Sequence, residues 1–249
     1  AGAYLLHTSA GSGKYNTTNL VLSGAYDYRF GGSPHNHIAG GLQLGGIFKS
    51  IDFNSLTFED QYSAANGGSF SNPTSETGGA TSTLLPDVHL GLMYYYTNTK
   101  KRVNPFIGAS VLHLTQPNET LLNSSSKLPM RFNIHPGIKV NINSKFQFLM
   151  HGILMKQENI KEVMFSWMGY YYMENKDAFA TYGITRRTND DAVIAHIGLK
   201  YKQLQYRLSY DVNTSNLQSI SNSRGGFEIS LIFISSKIDP TPIRSCPDL

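Results

Sequence analysis

Along most of this chain apolar and polar side chains alternate one by one. Over residues 204–211, Leu204, Tyr206, Leu208 and Tyr210 fall on one side while Gln205, Arg207, Ser209 and Asp211 fall on the other. Successive side chains point to opposite faces of a strand, so this period of two predicts a β-strand with one apolar and one polar face. The same beat sets Leu20, Leu22, Tyr26 and Tyr28 against Asn19, Ser23, Asp27 and Arg29, and Ile38, Leu42, Leu44 and Phe48 against Gln43 and Lys49. It sets Val88, Leu90, Leu92, Tyr94 and Tyr96 against Asp87 and His89, and Phe132, Ile134, Ile138 and Ile142 against Arg131, Asn133, His135 and Lys139. Further on, Val193, Ile197, Leu199 and Tyr201 oppose His196 and Lys200, and Phe227, Ile229, Leu231 and Phe233 oppose Glu228 and Ser230. Residues 1–9, 146–156, 163–173 and 179–187, with a fifth strand over 104–114 whose register the pattern leaves open, complete about twelve strands.

The connections alternate in length. Short turns are expected at 31–36, 98–102, 143–144 and 202–203, and long polar links at 53–83, 116–127 and 213–224. Short turns on one side and long loops on the other are the pattern of an antiparallel transmembrane β-barrel. A soluble β-sandwich alternates in the same way, with its apolar face inward. Composition separates the two: charged residues are 15% of this chain, against about 25% in soluble domains. Several strands also approach the roughly 9–11 residues that span a bilayer. No apolar run reaches the length of a transmembrane helix. The net charge of +4 comes without a dense Lys/Arg block, which disfavours nucleic acid.

Aromatic residues add a direction. With the chain end in the periplasm, Tyr28, Phe30, Tyr94, Tyr96, Tyr170, Tyr172, Tyr201 and Phe233 end the even-numbered strands. Phe106, Phe148, Phe179 and Tyr206 open odd strands at the same level, forming an expected aromatic girdle at one membrane interface. Strand eight breaks the alternation, because Phe165 and Trp167 oppose Met164, Met168 and Tyr170. Two apolar faces imply either a filled lumen or an outer face covered by a partner, and Phe165 and Trp167 become candidate partner contacts.

Few residues suggest chemistry. Gly11, Gly13 and Lys14 resemble a phosphate loop, but Tyr15 stands where Ser or Thr should hold magnesium, and Thr8 where the first glycine belongs. His89, His135 and His196 lie on polar faces of strands that a barrel keeps apart, so they are expected as lumen histidines and not as a metal set. Asp27, Asp87, Asp211 and Glu228 share the polar faces with Arg29, Lys49, Arg131, Lys139, Lys200 and Arg207, and ion pairing across the lumen is expected of them. No catalytic residue, metal or cofactor is expected. Cys246 is the single cysteine and excludes an intrachain disulfide within these residues. The start, from Ala1 to Leu6, carries no signal peptide, as in a processed or truncated chain.

An ordered set of motifs runs through the chain. It includes Ser50-Ile51-Asp52, Leu56-Thr57-Phe58-Glu59-Asp60-Gln61 and His113-Leu114-Thr115-Gln116-Pro117. Arg186-Arg187-Thr188-Asn189-Asp190-Asp191-Ala192, Gly198-Leu199-Lys200-Tyr201-Lys202 and Leu208-Ser209-Tyr210-Asp211-Val212-Asn213 follow. Arg224-Gly225-Gly226-Phe227-Glu228-Ile229-Ser230-Leu231 and Cys246-Pro247 close the set. Together they resemble the PorP/SprF family of the Bacteroidota type IX secretion system.

The resemblance implies a non-enzymatic, multi-pass outer-membrane barrel over residues 1–237, with a periplasmic tail over 238–249 that includes the candidate contacts Cys246 and Pro247. It implies a role in secreting or anchoring adhesins that carry a type-B C-terminal signal, in some members with gliding motility. Implied partners are the cargo's C-terminal domain, the periplasmic ring lipoprotein and ring protein of the machine, and lipid. Family members usually begin further upstream, so two more strands would give about fourteen, an even count as bacterial barrels have. The ending Asp248-Leu249 departs from the family's usual basic and then aromatic or aliphatic ending. The other function in view is a channel for small anionic solutes, suggested by the net-basic polar face.

Overall fold

The computed structural model describes residues 1–64, 67–76, 81–121, 125–188, 192–215 and 224–234. The alternating segments form twelve strands: β1 (Gly2–Ala10), β2 (Tyr15–Arg29), β3 (Asn36–Ser50), β4 (Ser82–Tyr96), β5 (Val103–Leu112), β6 (Arg131–Asn141), β7 (Phe146–Gln157), β8 (Ile160–Met173), β9 (Ala178–Arg187), β10 (Ala192–Tyr201), β11 (Leu204–Asn213) and β12 (Phe227–Phe233). They make one sheet in sequence order, β1 beside β2 through to β11 beside β12. The pairing is antiparallel, from Gly2 opposite Ser23 in β1–β2 to Leu204 opposite Phe233 in β11–β12. β1 and β12 are the two ends of this order. Among the described residues the helical elements are short 3-10 turns, at Phe53–Ser55, Glu59–Gln61 and Glu174–Lys176. Among the described residues no helix is long and apolar enough to cross a membrane.

The faces read from the sequence are the faces the fold uses, with a sense opposite to that of a soluble protein. The apolar rows are exposed, including Leu20, Leu22, Leu90, Leu92, Ile134, Ile197, Leu208 and Ile229. Buried positions include His37, Asp87, His89, Asn104, Lys139, Thr181, Thr185 and Ser209. Water would not tolerate so many contiguous exposed aliphatic side chains around a polar interior, whereas a bilayer requires them.

The chain packs as two compact units. One comprises Ala1–Tyr26, Gly40–Gly91 and Val111–Arg131; the other comprises Asp27–Ala39, Leu92–Ser110 and Phe132–Leu249. In the first, residues 11–14 form the β1–β2 turn, with Lys14 N–H donating to Gly11 O at 3.2 Å and both residues at positive φ, 47° and 72°. A strand follows where a phosphate loop would open a helix, so this segment is a hairpin turn.

The 51–81 connection of the same unit is tied to that turn by Asp52 N–H donating to Gly13 O at 2.8 Å. Within it, Asp60 accepts from Ser75 N–H at 2.6 Å, and from Ser75 Oγ and Thr74 Oγ1 at 2.9 and 3.0 Å. The Ser75 amide, with the two hydroxyls, holds the Asp60 carboxyl below its usual value. A depressed carboxylate stabilises the loop above the ordinary carboxylate range, and the effect is lost as pH falls through the lowered folded-state pKa. Amide protection at Ser75 should therefore hold at neutral pH, collapse in strong acid, and be missing at neutral pH in Asp60→Asn. Equal protection in that variant would refute the role.

The second unit settles two points the pattern left open. In β5, Asn104, Phe106 and Gly108 lie on the buried face and Val103 and Ile107 on the exposed one. In β8, Phe165 and Trp167 are more than half exposed, and Trp167 stacks on Phe148 with centroids 5.7 Å apart. Met168 and Tyr170 face the other way and pack with Phe106 and Leu149, flanked by Met93, Tyr95 and Phe179. The expected girdle is therefore corrected in part: Tyr28, Tyr201, Tyr206 and Phe233 are exposed, but Phe106 and Tyr170 are 4% and 6% exposed and belong to this apolar cluster. Position along a strand sets an aromatic's level; register decides its face.

Candidate functional site

β5 ends at Leu112 because His113 takes a left-handed backbone, φ 59°, which a strand cannot continue. The residues after it stay beside β4: Leu114 N–H donates to Val88 O at 3.0 Å and Thr115 Oγ1 to Pro86 O at 2.8 Å. The turn brings His113 onto two buried-face residues of β4. His113 Nδ1 lies 2.7 Å from Asp87 Oδ2, His89 Nε2 lies 3.5 Å from the same oxygen, and His113 N–H donates to His89 Nδ1 at 3.1 Å. Asp87 and His89 are 3% and 5% exposed.

The three side chains offer ligand atoms within 4.8 Å of one another, as a metal site would. Their protons point elsewhere. Because His89 Nδ1 accepts from a backbone amide, its ring proton sits on Nε2 and faces Asp87, and His113 places its own proton on Nδ1 toward the same carboxylate. One imidazole bonded to the carboxylate and a second 3.5 Å from it make a clasp. Sequence reading treated His89 as a separate lumen histidine and did not bring His113 to it; the motif at 113–117 was the available signal.

The 113–130 connection continues as a small hairpin, bridged at Asn118 and Lys127, with Glu119 N–H donating to Ser126 O at 2.7 Å. Its Glu119 carboxylate accepts from Lys49 Nζ at 2.6 Å. Lys49 belongs to β3, so the connection between β5 and β6 reaches past β4 on the buried-face side. The loop is thus fixed at its root by the histidine clasp and near its tip by an ion pair. Lys49 was expected to pair across a lumen, but Glu119, read as loop, was not identified as its partner.

In the second unit a polar row crosses the buried face from β6 to β12. His135 Nε2 and His151 Nδ1 are 3.1 Å apart, one ring donating to the other. His151 stands opposite Ser166, whose Oγ shares a 2.8 Å hydrogen bond with Thr185 Oγ1. Thr185 Oγ1 bonds His196 Nε2 at 2.9 Å; His196 stands opposite Ser209, and Ser209 opposite Glu228. His135 and His196 therefore lie in one row without touching, and His89 belongs to the clasp in the other unit.

The remaining candidates fall as follows. Arg131, Lys139, Lys200 and Arg207 are buried or half-buried on the buried-face side of their strands. Asp211 is half-buried at the far end of β11, while Arg29 and Glu228 are exposed near the ends of their strands. Phe165 and Trp167 are on the exposed face. Cys246, Pro247 and Asn189 to Asp191 lie outside the described residues.

No curated protein matches the chain. Residues 1–233 match the family described as type IX secretion system membrane protein PorP/SprF. An inside-out twelve-stranded antiparallel sheet and a match over nearly the whole length agree: this chain belongs to the PorP/SprF family of type IX secretion system membrane proteins.

Proposed function

We propose that this protein is a non-enzymatic outer-membrane barrel that supports secretion or surface anchoring of adhesins bearing a type-B C-terminal signal, and that it acts through its surfaces and not as an open pore. Membership of the family makes it a type IX secretion component of the outer membrane. The observation that carries the rest is the 113–130 loop, folded to the buried-face side and fastened to Asp87 and Lys49. In a closed barrel that face is the lumen, and a fastened loop there obstructs solute flow. The apolar cluster around Phe106 supports the same reading, because a water-filled pore has no use for it. Closure needs partners for the free edges of β1 and β12, since unpaired backbone is costly in lipid; two further strands would supply them and bring the barrel to fourteen. The exposed Phe165–Trp167 face is the proposed protein contact within the membrane. The segment 238–249 is the proposed periplasmic contact to the ring lipoprotein and ring protein.

Deleting the gene should abolish surface display of the partner adhesin and leave small-solute uptake intact; normal display would end the proposal. The competing reading, an anion channel, is favoured by the cationic buried face. Planar bilayers separate them. The wild type should be silent, and a Glu119→Ala, Asp87→Ala double variant should show discrete conductance. A wild type that conducts steadily would favour the channel.

A further inference from the structure

Among the described residues Arg207 has no acidic partner. It sits on the buried face of β11, its Nε is shielded from solvent, and among the described residues no hydrogen-bond acceptor or ion pair meets its guanidinium. By register its neighbours are Gly198 on β10 and Ser230 on β12. Glu228, the nearest acid in the ladder, faces Ser209, and its Oε1 accepts from Ser230 Oγ at 2.8 Å. On the same face His196 of β10 stands diagonally across from Arg207, since Gly198 is opposite Arg207 and His196 opposite Ser209. His196 Nδ1 is also buried without a partner among the described residues, while its Nε2 is engaged by Thr185.

A half-buried guanidinium whose Nε meets no acceptor among the described residues, beside an imidazole whose Nδ1 meets none either, concentrates positive potential, and such a charge is costly unless something negative meets it. From this juxtaposition we infer that Arg207 and His196 form an oxyanion-binding site on the buried face of β10–β11, for a carboxylate or phosphate group. The fork of Arg207 fits two oxygens of either group, and an imidazole N–H can add a third bond. Gly198 lets β10 and β11 approach closely beside the site: a Cβ there would meet Tyr206 O and, at 2.6 Å, Thr181 Oγ1. The site goes beyond the secretion role and does not require it.

The test uses the full-length detergent-solubilised protein at constant ionic strength. Inorganic phosphate and N-acetylglycinate are titrated separately, and the ring nitrogens of His196 and His89 are followed by long-range proton–nitrogen correlation. A saturable shift at His196, with His89 unmoved, is expected for at least one probe. Phosphate alone would mark a phosphoryl ligand, acetylglycinate alone a carboxylate ligand, and the neutral N-acetylglycinamide should do nothing. Arg207→Gln should weaken the midpoint by about tenfold or more, with Arg207→Lys between it and wild type. Should Arg207→Gln fail to fold, His196→Gln should weaken binding while keeping the cation. Glu228→Gln should tighten binding by removing the nearest negative charge. Absence of a saturable shift with either probe, shifts unchanged in Arg207→Gln, or loosening in Glu228→Gln would each overturn the site.

Discussion

Phe106→Ala should destabilise the folded protein by about 3–5 kcal/mol, the usual cost of deleting a buried phenylalanine and leaving a cavity. Phe106 is 4% exposed and packs with Leu149, Met168 and Tyr170. Its ring also covers Gly137 on β6, where any Cβ would collide with it, and meets the His135 ring edge-on at 5.3 Å. One side chain thus joins an apolar cluster to the polar row through His135. Urea unfolding in lipid vesicles, followed by the fluorescence of Trp167, measures the loss. Gly137→Val should act in the same direction by expelling the ring. A change under about 1 kcal/mol in Phe106→Ala would mean that the cluster is not packed in the membrane.

Asp87→Ala should cost less overall, about 1.5–3 kcal/mol, because it strands hydrogen-bond donors in place of a cavity. His113 Nδ1 would lose its acceptor, and the buried His89 ring would lose the carboxylate 3.5 Å from its Nε2. The damage should be local. Amides of residues 113–119 should exchange faster and the loop should become accessible to protease, while the β9–β11 ladders keep their protection. The left-handed turn at His113 is held by this clasp, by the β4 contacts and by Gln116 N–H donating to His113 O at 3.0 Å. Unaltered exchange over 113–119 would show that the Lys49–Glu119 pair holds the loop alone.

Strand existence and facing were legible in the sequence because a two-residue period is local. Once a residue is on a strand, its neighbours' polarity says which face it shares. That is why β6, β10 and β11 match their expected spans closely and why every apolar row read from the sequence is the exposed row. The family resemblance was legible for the same reason, since its motifs are short and ordered. The pattern faltered where one face loses its contrast. β5 mixes Pro105, Phe106 and Gly108 and gave no register, and β4 carries Pro86 inside it, ahead of the alternating row that starts at Asp87.

The sequence by itself determined an all-β chain with apolar and polar faces, short turns, long loops and a strand eight greasy on both sides. Only the tertiary structure decided which groups meet. His113 reaches Asp87 because its backbone turns left-handed, Glu119 reaches Lys49 because a loop folds toward the buried face, and Phe106 leaves the expected girdle because β5 takes one register and not the other. Strand alternation is a property of adjacent residues; contacts between strands depend on pairing register and on the path of loops, which distant parts of the chain settle together.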